Sequence, residues 1–265
     1  MEILGFESAP QSKLNNILPR FSCSGATAFR DAVVKGNQLM QQLLDLFCKK
    51  GAHDKFKFVH VVLTDGEDNR SQISLQEFLA YQVRLKNELP ENILQTFYIG
   101  VNVENNQTVQ QEMRAILQCS GKSAQYFPIH SNGINEIFQK IQMQIGLRVQ
   151  QKGIIIESNQ QSIAFMQKQL QPVLQMKVNN YIVLFTLDIS GSMQGNWGKV
   201  CNAVSGFLGN LGSNDLVSGI VFNDKVEVVT QLTAQPQKPV QSQQYYNQNQ
   251  QQVSNRRDDE VYQNF

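Results

Sequence analysis

The chain has 265 residues, of which 41% are hydrophobic, enough for a buried core in one or two domains. Lys and Arg number 23 against 22 Asp and Glu, so the net charge of +1 predicts neither a nucleic-acid nor a membrane partner. The sequence opens without a signal-peptide pattern and its apolar runs are too short to span a bilayer, from which we expect a cytoplasmic protein.

The first half of the chain predicts alternating helices and strands. Residues 1–22 are weakly patterned. The helix that follows has apolar residues at spacings of three and four, which places them on one face: Phe29, Val33, Gly36, Met40, Leu43 and Phe47. Phe56–Thr64 is rich in β-branched and aromatic residues, which predicts a buried strand. His60 lies inside this strand, so we expect a structural histidine there and not a zinc ligand.

Two capping boxes predict the next helices. Ser74 and Glu77 have the spacing of the first box, which opens a helix that stops before residue 90. Thr108 and Gln111 have the spacing of the second, and its helix is expected to end near Gly121. Strands are predicted at residues 93–103 and 123–129. A last helix in this half has one apolar face: Ile134, Ile137, Phe138, Ile141 and Ile145.

The second half begins with an ambiguous connector, in which residues 153–156 favour a strand and residues 162–170 favour a helix. Residues 181–187 form a near-continuous apolar run, as expected for a central parallel strand. A helix follows with an apolar face: Val200, Val204, Phe207 and Leu208. Residues 217–222 and 226–231 predict an antiparallel hairpin with a turn at 223–224.

Helices alternating with strands predict an α/β fold, doubly wound, with a mostly parallel central sheet flanked by helices. Beyond the hairpin, the Gln-rich composition of residues 233–265 predicts a disordered low-complexity tail.

Three short motifs contain the candidate chemistry. DISGS at 188–192 and LTDG at 63–66 each follow an apolar strand, and SGAT at 24–27 precedes a helix. Ligands of parallel-sheet proteins bind beyond the carboxyl ends of the strands, where the strand order reverses. Carboxylate and hydroxyl oxygens are hard ligands that suit Mg²⁺ or Mn²⁺. The motifs therefore predict a divalent-cation site.

DISGS followed by Met193, taken together with GAT and LTDG, resembles the metal ion-dependent adhesion site (MIDAS) of von Willebrand factor type A (VWA) domains. The resemblance implies a Rossmann-like fold that binds Mg²⁺ or Mn²⁺. It implies that Ser190, Ser192 and Thr27 ligate the cation directly, while Asp188 and Asp65 act partly through bound waters. It further implies a non-enzymatic interaction module, in which a protein partner completes the coordination with an acidic residue.

The order of the motifs departs from that family, because GAT and LTDG precede DISGS here. We therefore expect a permuted domain with five parts: an N-terminal segment at 1–22, the C-terminal half of a VWA-like domain at 23–145, a connector at 146–179, the N-terminal half at 180–232 and the tail at 233–265. A single-chain permutant, a swapped homodimer and a fragment of a tandem-domain protein all agree with this order.

Simpler interpretations remain open at the motifs. DISGS is also typical of a turn with capping side chains, and Thr27 of a helix N-cap. Glu67 and Asp68 are expected to be solvated loop charges, and Trp197 fits an exposed contact and core packing equally.

Two other functions compete with cation-dependent binding. One is a structural or scaffold domain whose metal site stays empty and whose tail carries the function. The other is a Mg²⁺-dependent phosphohydrolase, which would need a second Asp where Ser190 stands.

Overall fold

The structure is a computed structural model that describes residues 5–89, 93–147 and 180–229. The strand and helix alternatives at 153–156 and 162–170, and the Gln-rich tail, lie outside the described residues.

Within the described residues the strands are β1 (Glu7–Ser8), β2 (Phe56–Thr64), β3 (Leu94–Val101), β4 (Ala124–Ile129), β5 (Asn180–Asp188), β6 (Leu216–Phe222) and β7 (Val226–Val228). The α-helices are α1 (Leu14–Ile17), α2 (Phe29–Lys49), α3 (Leu75–Glu88), α4 (Gln107–Ser120), α5 (Ile134–Ile145) and α6 (Trp197–Leu208). None of these helices is long and apolar enough to cross a membrane.

All the strands belong to one sheet, in the order β1–β6–β5–β2–β3–β4, with β7 also paired to β6. The neighbours from β6 to β4 are parallel, whereas β1 and β7 are antiparallel to β6. The chain proceeds outward from β5 to β6 in one direction and from β2 through β3 to β4 in the other. The reversal of strand order therefore falls between β5 and β2, and the prediction of an α/β fold with a mostly parallel sheet is confirmed.

Helices cover both faces of the sheet. Along β2 and β5 alternate residues turn to opposite faces, so that Val59 and Phe185 pack with α1, α5 and α6, while Phe58 and Leu184 pack on the side of α2. A second cluster on the α2 side joins it to α3 and α4. This two-sided burial explains why the strand sequences are continuous apolar runs instead of alternating ones.

The hairpin prediction is confirmed, since β7 pairs antiparallel with β6. The first capping box is also confirmed: Ser74 Oγ accepts a hydrogen bond from Glu77 N at 3.3 Å, and the Glu77 carboxylate accepts one from Ser74 N at 2.9 Å. The second is wrong, because α4 begins at Gln107 and its N-cap is Asn106, whose side chain accepts from Val109 N at 3.1 Å.

The weakly patterned residues before the first predicted helix contribute to the core. Phe6, Leu14 and Leu18 are buried, and the Leu18 carbonyl accepts a hydrogen bond from Trp197 Nε1 at 3.1 Å. No periodicity marks these residues, because Phe6 directly precedes the two-residue β1, Leu14 begins the four-residue α1 and Leu18 begins the short 3-10 turn after it, and all of these segments are too short to show a period. The same bond and its burial place Trp197 in the core.

His60 is a buried polar residue at the centre of the sheet. Its Nδ1 lies 3.0 Å from Asn37 Oδ1 and its Nε2 lies 2.8 Å from Thr186 Oγ1, so a neutral ring satisfies both neighbours. Burial lowers the pKa of His60 to about 3. Gly36 of α2 packs directly on the ring, where a Cβ would lie 2.6 Å from His60 Cε1.

Gly36→Ala is expected to lower the free energy of unfolding by about 1–3 kcal/mol, because overpacking against the imidazole outweighs the gain in helix propensity. The matched control is Gly206→Ala in α6, where nothing lies within 4 Å of the new Cβ. That variant is expected to gain up to about 1 kcal/mol. Urea unfolding of both variants measures the difference, and equal effects would contradict the proposed clash.

His60 is expected to make stability depend on pH. Its folded pKa of about 3 lies below the ordinary 6.5, so between these values the unfolded chain binds a proton that the folded chain excludes. The contribution is fully present above pH 6.5 and is lost as the pH falls, by up to about 1.4 kcal/mol per pH unit. Urea unfolding at pH 7, 6, 5 and 4 should show this loss in the wild type and not in His60→Gln. Parallel curves for the two proteins would refute the assignment, because all other groups titrate in both.

Candidate metal centre

The candidate site lies at the carboxyl edge of the sheet, where the strand order reverses. Asp188 is the last residue of β5, and Asp65 directly follows β2. The two strands run side by side in parallel, with Leu187 opposite Leu63. Their register therefore delivers both carboxylates to the same end of the sheet, at the crevice where doubly wound proteins bind ligands.

Asp188 is completely buried and is held at both oxygens. Its Oδ2 accepts a hydrogen bond from Thr64 Oγ1 at 2.7 Å, and its Oδ1 accepts one from Ser190 N at 2.8 Å. The first bond crosses from β2 to β5, and the second closes the turn that follows β5. Together they fix the carboxylate at the base of the site.

A continuous series of hydrogen bonds leads from the DISGS turn to Asp65. Ser190 Oγ lies 3.1 Å from Ser192 Oγ, and Ser192 Oγ donates to Asp65 Oδ1 at 2.7 Å. Ser190 is buried, Asp65 is partly buried and Ser192 is exposed. The structure therefore brings together four of the five predicted ligand side chains. Their exposure to solvent increases from the buried Asp188 and Ser190 to the exposed Ser192.

Thr27 reaches the same place through the loop before α2. It is buried, and a Cβ at Gly66 would lie 3.9 Å from Thr27 Oγ1, so the hydroxyl faces the residue next to Asp65. Asn69, in the loop after β2, forms two hydrogen bonds with the Thr27 backbone. The Thr27 N–H donates to Asn69 Oδ1 at 2.9 Å, and the Thr27 carbonyl accepts from Asn69 N at 3.1 Å. Thr27 thus adjoins the group of four.

Backbone hydrogen bonds join the GAT and DISGS loops directly. Ser24 N donates to the Ile189 carbonyl at 2.9 Å, and Gly191 N donates to the Gly25 carbonyl at 3.1 Å. Gly25 has a φ of +82°, and a Cβ there would lie 2.5 Å from Asp224 Oδ2. The same aspartate accepts a hydrogen bond from Ala26 N at 2.8 Å. The glycine is therefore required twice, by its backbone conformation and by the approach of Asp224.

Asp68 corrects the expectation of a solvated loop charge. Its side chain is buried, accepts from the Arg30 backbone N–H at 2.7 Å and lies 3.3 Å from Arg30 Nε. It therefore caps the first turn of α2 and pairs with a cation in that turn. Glu67 is exposed and accepts a hydrogen bond from Asn106 Nδ2 at 2.9 Å. Neither carboxylate belongs to the bonded series around Asp188.

Burial dominates the electrostatics of the site. It raises the pKa of Asp188 to about 6; the hydrogen bonds from Thr64 and Ser190 oppose this rise, and the charge of Asp65 adds to it. Burial also raises the pKa of Asp65, against the bond from Ser192. Two carboxylates that are costly to ionise together, with no cation among their bonded neighbours, form a site that a bound positive charge would stabilise.

The donor set fits a hard cation. Two carboxylates and three hydroxyls offer only oxygen, the ligand type of Mg²⁺ and Mn²⁺. Within the described residues, no group of three or more His, Cys, Asp or Glu could hold a metal, so a cation here would depend on the hydroxyls as well. Cys23 is nearby, but burial and the charges of Asp188 and Asp65 raise its pKa to about 11, which keeps it a thiol.

Sequence motifs alone missed three supporting residues. Thr64 stands inside LTDG and had a detectable signal, since a hydroxyl at the last position of a buried strand must find a partner. Asn69 and Asp224 had none, because each acts on a loop that is distant in sequence.

Comparison with known proteins adds little to these observations. No family model matches the chain, and no curated protein matches it. Among solved structures, the chain is similar to an uncharacterized protein from Alicyclobacillus acidocaldarius subsp. acidocaldarius DSM 446, with 19% identity, 66% of this chain and 79% of that chain covered, and a TM-score of 0.42. A likeness at this level carries no functional inference.

Thr64→Val is expected to lower the free energy of unfolding by about 1.5–3 kcal/mol, because it removes the donor to a buried carboxylate while keeping the side-chain shape. The matched control is Ser218→Ala, since the Ser218 hydroxyl is fully buried and has no hydrogen-bond partner among the described residues. Its effect should be clearly smaller. Urea unfolding without divalent cations measures both variants, and equal losses would show that the Thr64–Asp188 bond contributes nothing specific.

Proposed function

We propose that this protein is a cation-dependent protein-binding module of the VWA type, with Mg²⁺ or Mn²⁺ bound by a MIDAS-like site and no catalytic activity. The observation that carries the proposal is the bonded series Asp188–Ser190–Ser192–Asp65, which joins oxygens from two motifs more than 120 residues apart in sequence. The strand register brings the two turns to one edge, and the side-chain hydrogen bonds between them gather their oxygens there.

In the proposed site, Ser190, Ser192 and Thr27 offer hydroxyl oxygens to the cation. Asp188 is already hydrogen-bonded at both oxygens, which favours its action through bound water. Asp65 accepts the Ser192 bond through Oδ1, so its Oδ2 takes no part in the series, and the residue lies nearer the surface. The exposed rim at Ser192 leaves room for one ligand from outside, and the carboxylate of a partner's Asp or Glu has the matching charge and hardness.

We further propose that the two halves form one permuted domain within a single chain. The support is the parallel register between β5 and β2, from Asn180 opposite Phe56 to Leu187 opposite Leu63. Neither segment would have both edges of its central strand paired without the other. A swapped homodimer and a tandem-domain fragment are the competing arrangements, and the mass in solution separates the first of them.

The first test is thermal unfolding in EDTA, Mg²⁺, Mn²⁺ and Ca²⁺, with light scattering on the same sample. A cation that binds only the folded state adds about 2.7 kcal/mol at one hundred times its dissociation constant. We expect this rise with Mg²⁺ or Mn²⁺ in the wild type and no rise in Asp188→Ala. Asp45→Ala, which removes an exposed carboxylate on α2, is the control and should respond like the wild type.

Each outcome has a distinct meaning. A cooperative transition that no cation shifts would reject the metal-dependent function and leave the fold in place. Loss of a cooperative transition would mean that the two halves of the proposed domain do not fold together. A scattering mass near 30.0 kDa agrees with the single-chain domain, and a doubled mass with strand exchange.

Partner chemistry is tested by selecting a displayed library of random peptides on the protein in Mg²⁺ and eluting with EDTA. Peptides enriched on the wild type and on Asp45→Ala, and not on Asp188→Ala, should each contain Asp or Glu. Enrichment of peptides without an acidic residue would reject the proposed completion of the coordination by a carboxylate.

A further inference from the structure

Glu67 is an exposed carboxylate beside the candidate metal centre. It follows Asp65 by two residues, so their Cα atoms are at most about 7.6 Å apart. Its Oε1 accepts a hydrogen bond from Asn106 Nδ2 at 2.9 Å, which joins the loop after β2 to the loop after β3. Glu67 therefore lies at the carboxyl edge of the sheet, next to the metal centre on its β3 side.

Asn106 is itself held by the start of α4. It is the N-cap of that helix, and its Oδ1 accepts a hydrogen bond from Val109 N at 3.1 Å. This bond orients the amide so that Nδ2 reaches Glu67. A neutral donor thus orders the carboxylate without neutralising its charge, and the bond leaves Glu67 Oε2 for another partner.

The cations nearest to Glu67 do not neutralise it. Arg30 Nε lies 3.3 Å from Asp68, and Arg30 Nη1 lies 3.5 Å from Glu112. Arg70, in the same loop as Glu67, is exposed. In the part of the chain that the structure describes, no Lys, Arg or His forms an ion pair with Glu67. Burial raises the pKa of Glu112, Arg30 opposes this rise, and the charges of Asp68 and Glu67 add to it.

Charged side chains farther along this edge have partners of their own. Glu104 Oε1 lies 3.3 Å from His130 Nδ1, and Lys199 Nζ donates to Ser131 Oγ at 3.1 Å. These contacts join the loops after β3 and β4 and the first turn of α6. Glu67 is the carboxylate next to the metal centre, on the β3 side, that a cation from outside can reach.

We propose that the partner segment recognised at the metal centre has a Lys or Arg close to its acidic residue, and that Glu67 binds this basic side chain. The inference rests on the proposed function. An extended segment advances about 3.3 Å per residue, so a basic residue within three positions of the acidic one spans the separation of Asp65 and Glu67. Opposite charges at the edge of an interface mainly determine specificity and the rate of association. The metal then selects the acid, and Glu67 selects the orientation of the segment.

The test is a selection of displayed random peptides on the full chain in Mg²⁺, with elution by EDTA. Peptides from the wild type should contain an acidic residue and be enriched in Lys or Arg within three positions of it. Glu67→Gln should keep the acidic residue and lose this enrichment, and Glu67→Lys should select a second Asp or Glu there instead. The control is Glu88→Gln, which removes a half-exposed carboxylate in the last turn of α3 and should behave like the wild type.

Binding of one selected peptide, measured by fluorescence anisotropy, gives the size of the effect. Replacing its basic residue by Gln should weaken binding to the wild type about 2- to 5-fold, as for one exposed ion pair, and leave binding to Glu67→Gln unchanged. The difference should shrink in 0.5 M NaCl because salt screens exposed charges. Glu67→Gln should also keep the Mg²⁺-dependent rise in unfolding temperature, since Glu67 is not a proposed ligand of the cation.

The outcomes separate this inference from the proposed function. If no peptide bound to the wild type is released by EDTA, metal-dependent binding is rejected and this inference with it. Acidic peptides without enrichment of Lys or Arg would overturn only the role of Glu67. The same holds if the enrichment persists unchanged in Glu67→Gln and Glu67→Lys, or if Glu67→Gln abolishes the Mg²⁺-dependent rise.

Discussion

The parallel pairing of β5 with β2 is the contact on which the rest of the structure depends. It joins residues that are about 124 positions apart in sequence and, among the described strands, is where the strand order reverses. The crossovers lead away from this pair on both sides, so the loops after β5 and β2 have no helix between them. Polar side chains at the two strand ends therefore share one crevice. A slip of one residue in this register would exchange the faces of a strand and separate Thr64 from Asp188.

The burial of Asp188 in this crevice costs free energy. A carboxylate with no solvent exposure is unfavourable when charged, and the protein provides neutral donors around it instead of a cation. Thr64 and the Ser190 backbone fix its direction, while the GAT loop and Asp68 hold the neighbouring elements in place. All of these hydrogen bonds are made within the chain, and a site that is ordered in advance in this way reduces the entropy cost of binding.

Much of this arrangement could be predicted from the sequence, and the exceptions have physical reasons. Long runs such as Phe56–Thr64 are decided by burial on both faces, so their type and bounds are clear from composition. The site residues Asp188 and Asp65 were predictable because parallel strand ends converge. The N-cap of α4 was harder to predict, because Asn106 and Thr108 both have capping side chains and lie only two positions apart. The structure has Asn106 at the N-cap.

Other features depend on tertiary contacts that have no local signal. Asp68 is buried only because Arg30 and the start of α2 lie against it. Gln82 is an ordinary polar residue in a helix until Ser120 and the start of β3 enclose it. Periodicity and motif spacing describe one segment at a time. The burial of Asp68 and Gln82 instead depends on contacts between segments that are distant in sequence.

The outer side of β6 is shared by two short segments. β7 lies opposite residues 220–222 and β1 lies opposite residues 216 and 217, and both run in the same direction. Gly219 lies between them, where Leu14 of α1 and Val229, the residue after β7, leave no room for a side chain. An edge position has only one neighbouring strand to satisfy, so a break in the backbone here leaves the interior of the sheet intact. A gene that fused residue 229 to residue 5 and opened the chain between 147 and 180 would preserve the neighbours of every described strand. The pairing of the described strands is a spatial order, and more than one order of these strands along a chain agrees with it.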